Sequence, residues 1–273
     1  MKRLAPRRIG EFQAMIRAQY RAHGRRDLPW RKTKDPYRIL VSEFMLQQTQ
    51  VSRVANTFEP FIERFPDFTS LARAPLRDVL RAWSGLGYNR RALHLRETAR
   101  IVVSRFDGRL PRGFDDLRAL PGIGAATAAE IMNFAFDEPR AFVETNVRSV
   151  YIHHFFSGKK KIADAEILPL VERTLDAKNP RRWFYALMDY GVMLKKSHAN
   201  PSRRSAHHVR QARFEGSNRQ ARGRVVRALA ERGMSEAEIA KSTGLSVARV
   251  RTVVPGLVRD GLVVRRGAKL GIA

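Results

Sequence analysis

The pentapeptide Leu120-Pro121-Gly122-Ile123-Gly124 lies between two stretches with helical apolar spacing, Phe114 to Ala119 and Ala125 to Phe134, and restricts the fold more than any other segment. Proline ends the first helix, and two glycines let the backbone turn tightly and approach a phosphate. The product is a helix-hairpin-helix. Amides at the start of the second helix have no partner in the helix and carry partial positive charge, so the turn can hold a phosphate oxygen. Leu120, Gly122, Gly124, Ala125 and Ala126 are therefore expected to meet a nucleic-acid backbone.

The charge balance agrees. Lys and Arg total 52 against 26 acidic residues in 273, a formal net charge of +26. A polyanion is the partner such a surface fits, and with the hairpin that partner is double-stranded DNA. At 44% hydrophobic the chain can bury ordinary globular cores, and its length suits two or three modules. No run of roughly eighteen apolar residues is present, and Met1 to Gly10 is basic without a following apolar run, so a cytoplasmic, nucleoid-associated protein with no membrane partner is expected. The chain contains no cysteine, which excludes disulfides, thiolate zinc sites and cysteine-ligated iron–sulfur clusters.

Helical spacing runs through Arg7 to His23, Pro36 to Leu46, Val51 to Phe65, Pro75 to Trp83, Arg90 to Phe106, Phe114 to Phe134, Asn146 to Phe156, Ala163 to Leu175 and Pro180 to Leu194. Short Gly, Pro and Asp turns separate these segments, so an all-α core over 1–194 is expected. Residues 195–223 read as a basic connector, with Lys195, Lys196, Arg203, Arg204, Arg210, Arg213, Arg219 and Arg222 against one acid, Glu215. Arg203 and Arg204 are candidate phosphate contacts. Over 224–273, three short helical patterns precede a β-ribbon formed by Leu262 to Val264 and Leu270 to Ile272. Ser235 and Glu238 have capping-box spacing. This is the pattern of a winged helix-turn-helix, with Ser246 to Val254, including Arg249, as the recognition-helix candidate.

Two carboxylates flank the hairpin in sequence: Glu43 within Ser42 to Gln50, and Glu144 within Val143 to Arg148. Together with Leu28-Pro29-Trp30, Gly85-Leu86-Gly87-Tyr88 and Leu187-Met188-Asp189-Tyr190-Gly191, in this order and at these spacings, they make Leu28 to Leu194 resemble the MutY-type adenine glycosylases of the helix-hairpin-helix DNA glycosylase superfamily. The resemblance implies a two-lobed core: a six-helix barrel over about 30–137, and a second lobe from the N-terminal helix plus about 138–194. It also implies that the enzyme flips adenine out of duplex DNA at a mismatch or opposite a damaged purine and hydrolyses its glycosidic bond.

Such a reaction passes through an oxocarbenium-like transition state that needs an acid for the leaving base and negative charge near the sugar. By resemblance, Glu43 is the acid, Glu144 the electrostatic stabiliser, and Asn146 the residue that holds the water and the acid. The acid role requires a raised pKa, consistent with Trp30, Leu46 and Val51 matching apolar pocket positions. Arg31 and Asp189 complete the base pocket, with Asp189 facing the exocyclic edge. Gln48 and Tyr88 match residues that enter the stack beside the lesion pair, Gln47, Thr49, Leu86 and Gly87 flank them, and Arg148 is a further DNA contact.

Three departures from the family pattern matter, beside one difference from its relatives. The family carries aspartate where this chain has Glu144, and one extra methylene moves a carboxylate by about a bond length. Related enzymes that nick DNA use a lysine where Ala126 stands, so a monofunctional hydrolase is expected here. Lys159, Lys160 and Lys161 read as a solvated run. The family has four cysteines after the segment matching Met188 to Leu194, holding a 4Fe-4S cluster that this chain cannot ligate. Its larger C-terminal domain, which inspects 8-oxoguanine, is replaced by the winged-helix pattern. Excision of uracil, thymine, hypoxanthine or an alkylated purine is therefore an alternative, as is a non-catalytic DNA-binding protein on the same scaffold. A monovalent cation at the hairpin carbonyls is implied by resemblance. His153-His154 and His207-His208 are neighbours whose side chains diverge on a helix, so no side-chain metal site is expected. A monomer is the simplest assembly.

Overall fold

The structure, a computed structural model, describes residues 5–209 and 213–273; Arg210, counted above in the connector, lies outside them. The described elements are α1 (Pro6–His23), α2 (Pro36–Leu46), α3 (Val51–Arg64), α4 (Phe68–Arg73), α5 (Leu76–Ala82), α6 (Arg90–Arg105), α7 (Phe114–Ala119), α8 (Ala125–Ala135), α9 (Thr145–Phe155), α10 (Asp164–Thr174), α11 (Pro180–Ser197), α12 (Asn218–Glu231), α13 (Glu236–Thr243), α14 (Val247–Arg259), β1 (Val263–Arg266) and β2 (Lys269–Ile272). They fall into two compact units. The first is formed by residues 5–39, 112–118 and 123–209, the second by 40–111, 119–122 and 213–273.

In the first unit, α1 and α9 to α11 close around an aromatic core, with the Phe12 ring 5.5 Å from Tyr151 and 6.1 Å from Trp183. A second cluster stacks Phe134 on Tyr185 at 4.4 Å and Phe142 on Phe184 at 4.2 Å. Offset aromatic pairs of this kind fix the orientation of α11 as well as adding buried area.

In the second unit, α3 turns Val54, Phe58, Phe61 and Ile62 inward at helical spacing, and Phe61 meets Trp83 edge-on at 5.9 Å. Helix α4 has no counterpart among the segments expected from apolar spacing. Six residues are too few to show a period, and the helix is set by its ends: Asp67 accepts from Ser70 N at 2.7 Å and completes a capping box.

The C-terminal helices share this second unit, where α12 packs on α5, α13 and α14. The expected ribbon is present, with Val263 paired to Ile272 in an antiparallel register, and Ser235 and Glu238 form the capping box expected of them. Helix ends move the expected connector bounds: α11 continues through Lys195 to Ser197, and α12 starts at Asn218. There Ser217 caps it by accepting from Gln220 N at 3.2 Å. Between the two helices the described residues thus narrow to 198–209 and 213–217, with a short 3-10 turn at Pro201–Arg204.

Candidate active site

Helix α2 is apolar almost throughout, and Ile39 to Met45 are all buried. Glu43 sits inside this run at 6% exposure and is the one acidic residue classed as buried among the described residues. A carboxylate rarely occupies such a position without a partner or a chemical task, because removing it from water is costly.

Beyond Glu43, α2 ends in a turn where Gln48 takes φ 53°, and the Gly85–Tyr88 loop ends with Tyr88 at φ 48°. Left-handed backbone at non-glycine residues stores strain and needs surrounding structure to hold it. Arg91 provides that. One guanidinium nitrogen donates to the carbonyls of Phe44, Met45 and Gln47 at 2.6–2.9 Å. The other donates to Thr49 Oγ1 at 2.9 Å and to the carbonyls of Leu86 and Gly87 at 3.3 and 3.0 Å. The same side chain therefore caps the end of α2 and ties both loops together, and burial pulls its pKa down to about 10, still charged at neutral pH. Gln47, Gln48, Thr49, Leu86, Gly87 and Tyr88, singled out from sequence, are thus brought together. Leu86 differs in role: its side chain is buried at 4% exposure, and only its backbone belongs to the loop surface.

The hairpin uses its two glycines differently. Gly122 has φ 79°, and a Cβ there would lie 2.8 Å from Phe44 and 2.9 Å from His94. Only glycine fits. The Pro121 carbonyl accepts from Thr98 Oγ1 at 2.9 Å, and the Gly122 carbonyl from Gln47 Nε2 at 3.3 Å. Gly124 instead is extended and N-caps α8 with no capping side chain, no acid in the first turn and open space where a Cβ would be. The first-turn amides, with Ala125 exposed and Ala126 half-buried, remain available to an anion. Leu120 is buried at 3% exposure and contributes packing.

In the first unit, Glu144 is the N-cap of α9. Its Oε1 accepts from Asn146 N at 2.7 Å and Val147 N at 2.8 Å, and its Oε2 accepts from Asn146 Nδ2 at 3.1 Å. The longer side chain loops back onto its own helix, which sets the direction of the carboxylate. Asn146 Oδ1 in turn accepts from Lys195 Nζ at 2.9 Å; Lys195 is a lysine whose pKa burial lowers, with Glu144 opposing that shift. Sequence reasoning assigned Lys195 to the connector and missed this link.

Gly191 lets α11 press against the same helix end: a Cβ would lie 2.5 Å from the Asn146 carbonyl oxygen. Replacing it with alanine (Gly191→Ala) must displace the first turn of α9. The expected cost is about 1–3 kcal/mol of stability, with single-turnover base release falling more than DNA affinity; equal losses in the two assays would argue against this role for α9.

Other candidates have different partners from those expected. Asp189, assigned to the edge of a base, accepts from Arg31 Nη1 and Nη2 at 2.7 and 2.9 Å and from Arg25 N and Nε at 2.9 and 2.6 Å. Burial opposes its charged form, but these two arginines hold its carboxyl below the usual range. Arg31 also lies over the Tyr185 ring at 4.3 Å. Arg148 makes a bidentate pair with Asp164, both contacts 2.7 Å, instead of standing free for phosphate. Arg204 caps the end of α9 through the carbonyls of Ile152 and Phe156, whereas Arg203 is exposed. Arg249 donates to the Gly216 carbonyl at 2.9 Å. Trp30 is buried at 2% exposure in the first unit, and Leu46 and Val51 are half-buried in the second.

The segment that follows α11 contains no cysteine to hold an iron–sulfur cluster. Hydrogen bonds hold this segment. Ser202 is buried, with its Oγ 2.6 Å from Ser149 Oγ and 3.0 Å from the Thr145 carbonyl, and the Ala206 amide donates to the Ile162 carbonyl at 2.9 Å.

Residues 41–173 match the family model described as HhH-GPD superfamily base excision DNA repair protein. The chain is similar to the adenine DNA glycosylase of Buchnera aphidicola subsp. Schizaphis graminum, with 36% identity over 67% of this chain and 54% of the relative. It therefore spans about half the length of that protein. The similarity to the adenine DNA glycosylase of Mycolicibacterium smegmatis is 38% over 75% of each chain. With the adenine DNA glycosylase of Mycobacterium tuberculosis it is 32% over 95% of this chain and 92% of the relative. Among solved structures, a thermostable thymine-DNA glycosylase superposes with a TM-score of 0.60 at 27% identity, covering 68% of this chain and 86% of the other. The sequence match and the superposition agree with the hairpin and with the buried carboxylate of α2, and the chain belongs to the HhH-GPD superfamily of base excision DNA repair proteins, within the adenine DNA glycosylase family.

Proposed function

We propose that the chain is a monofunctional DNA glycosylase that extrudes adenine from duplex DNA, at a mismatch or opposite a damaged purine, and hydrolyses its bond to the sugar. The observation that carries this reading is Glu43, a carboxylate at 6% exposure within the buried, largely apolar run of α2.

Extrusion costs a few kcal/mol of stacking. Gln48 and Tyr88, preset in left-handed conformations by Arg91, are the side chains suited to fill the vacated place. The Gly124 end of α8 holds a phosphate. Glu43 in its acid form protonates the departing purine, so that the glycosidic electron pair leaves with the base. The carboxylate of Glu144, aimed by the start of α9 and by Asn146, stabilises the sugar cation. Water then adds at C1′ and gives its proton to Glu43. No lysine stands at Ala126 to attack the sugar, so the strand remains unbroken. The enzyme works as a monomer and without an iron–sulfur cluster.

The test is a set of duplexes carrying single adenine, uracil, thymine, hypoxanthine or alkylated-purine sites, followed by alkaline cleavage of abasic sites. Strand scission from adenine duplexes alone is expected. A second reading, excision of another base such as thymine, is favoured by Glu144 standing where the family has aspartate; scission confined to thymine or uracil duplexes would establish it.

A further inference from the structure

The second unit contains a groove of about 1440 Å³. One wall is the Gln47–Gln50 turn with the Gly85–Arg91 loop; the other is built largely from α12. Eight lining side chains are arginines and two are carboxylates, a surplus of six positive charges. Both carboxylates are already paired, Asp260 with Arg222 and Glu231 with Arg81.

Aromatic surface accompanies this charge. Two guanidinium groups lie near the Tyr88 ring, Arg91 at 5.5 Å and Arg219 at 5.7 Å from its centroid. Arg219 Nη1 also donates to the Tyr88 hydroxyl at 2.9 Å and lies 5.5 Å from the ring of Phe214, which is 51% exposed. One arginine from α12 thus links an aromatic residue on each wall. The supposed recognition helix is placed differently. Arg251 on α14 and Arg265 on β1 both pair with Glu236, at 2.9 and 2.7 Å, and this carboxylate weakens the attraction of both for phosphate.

We propose that this groove binds one strand of DNA, with α12 as its phosphate rail and Arg219 as the residue that releases Tyr88 into the stack when a phosphate replaces the tyrosine hydroxyl. Arginines dispersed along a wall suit a regularly charged backbone, and aromatic rings such as the exposed Phe214 and the half-buried Tyr88 suit unstacked bases. Arg53 and Arg227, both exposed, meet the phosphates on either wall. The C-terminal helices then act through α12 rather than through the helix-turn-helix face. This inference rests on the glycosylase reading for the identity of the polymer.

The experiment measures binding of the full chain to a duplex carrying a tetrahydrofuran abasic analogue, which cannot be cleaved, and to the undamaged duplex, between about 50 and 200 mM salt. The double variant R53Q/R227Q is expected to lower the slope of log Kd against log salt by about two, roughly 0.9 for each phosphate no longer neutralised. R251Q/R259Q on α14 is expected to leave it unchanged. Arg219→Met should reduce preference for the abasic duplex about tenfold at unchanged Tm, and reduce the fluorescence of a 2-aminopurine beside the site, while Arg219→Lys should restore part of both. The proposal is overturned if the α14 pair changes the slope and the groove pair does not, or if Arg219→Met lowers Tm without altering selectivity. Because no readout depends on base release, a chain that cleaves nothing would still test the groove, and a chain that cleaves adenine could still fail it.

Discussion

Replacing Glu43 by glutamine is expected to reduce single-turnover release of adenine by about a thousandfold, within the range that a positioned general acid contributes, while leaving duplex affinity within about twofold. The substitution preserves the shape of the side chain and removes only its ability to ionise and transfer a proton. Its site is a helix whose neighbouring positions are all buried, so a neutral amide is no harder to accommodate than a carboxylate. Thermal stability should therefore hold within a few degrees, roughly the shift that 1 kcal/mol produces in a protein of this size. Loss of cleavage accompanied by collapse of Tm would mean that Glu43 is structural. Retained cleavage would remove it from the chemistry altogether.

The second large effect concerns Arg91. Arg91→Ala removes donors from five backbone carbonyls and one hydroxyl, and takes away the cation lying 5.4 Å from the Trp83 ring. Breaking a largely buried charged network typically costs about 3–5 kcal/mol, which corresponds to roughly 10 °C in Tm for a protein of this size. Catalysis should suffer further, because Gln48 and Tyr88 lose the support that holds them at positive φ. Arg91→Lys retains the charge but replaces a planar fork with a point donor, so it should recover part of the stability and little of the base extrusion. Denaturation curves and single-turnover assays on the two variants give the comparison. If lysine restored cleavage fully, the fork geometry would be irrelevant.

The reasons some features were legible in the sequence and others were not are physical. Long helices such as α3 and α11 show their apolar stripe over several turns, and the hairpin reveals itself because its glycines and proline have few other uses. Glu43 stood out as an acid in an apolar run. The start of α12 did not: Asn218 to Arg222 is polar, and its helix depends on the Ser217 cap and on burying Ala221, which only the folded chain shows. Arginine partners were similarly hidden. Arg148 finds Asp164 sixteen residues on, and Arg31 finds Asp189 at a separation of 158, so spacing alone could not distinguish these paired charges from phosphate contacts. The assignment of Asp189 to a base edge differs from its observed partners for the same reason. Left-handed backbone at Gln48 and Tyr88 carries no residue code, since neither is glycine, and the role of Arg91 appears only when two loops distant in sequence meet on one guanidinium.

Glu144 shows the limit of reading chemistry from a substitution. An added methylene suggested a misplaced carboxylate, yet the side chain uses its length to cap α9 and engage Asn146. Its direction is therefore set locally.

The most direct test of the account is mass spectrometry of the small molecules and the strand released from an adenine-mismatch duplex in a single turnover. The account predicts one free adenine for each abasic site formed, on a strand that stays unbroken until alkali is added. Another free base from a mixed substrate pool, a strand broken without alkali, or no free base at all would contradict it.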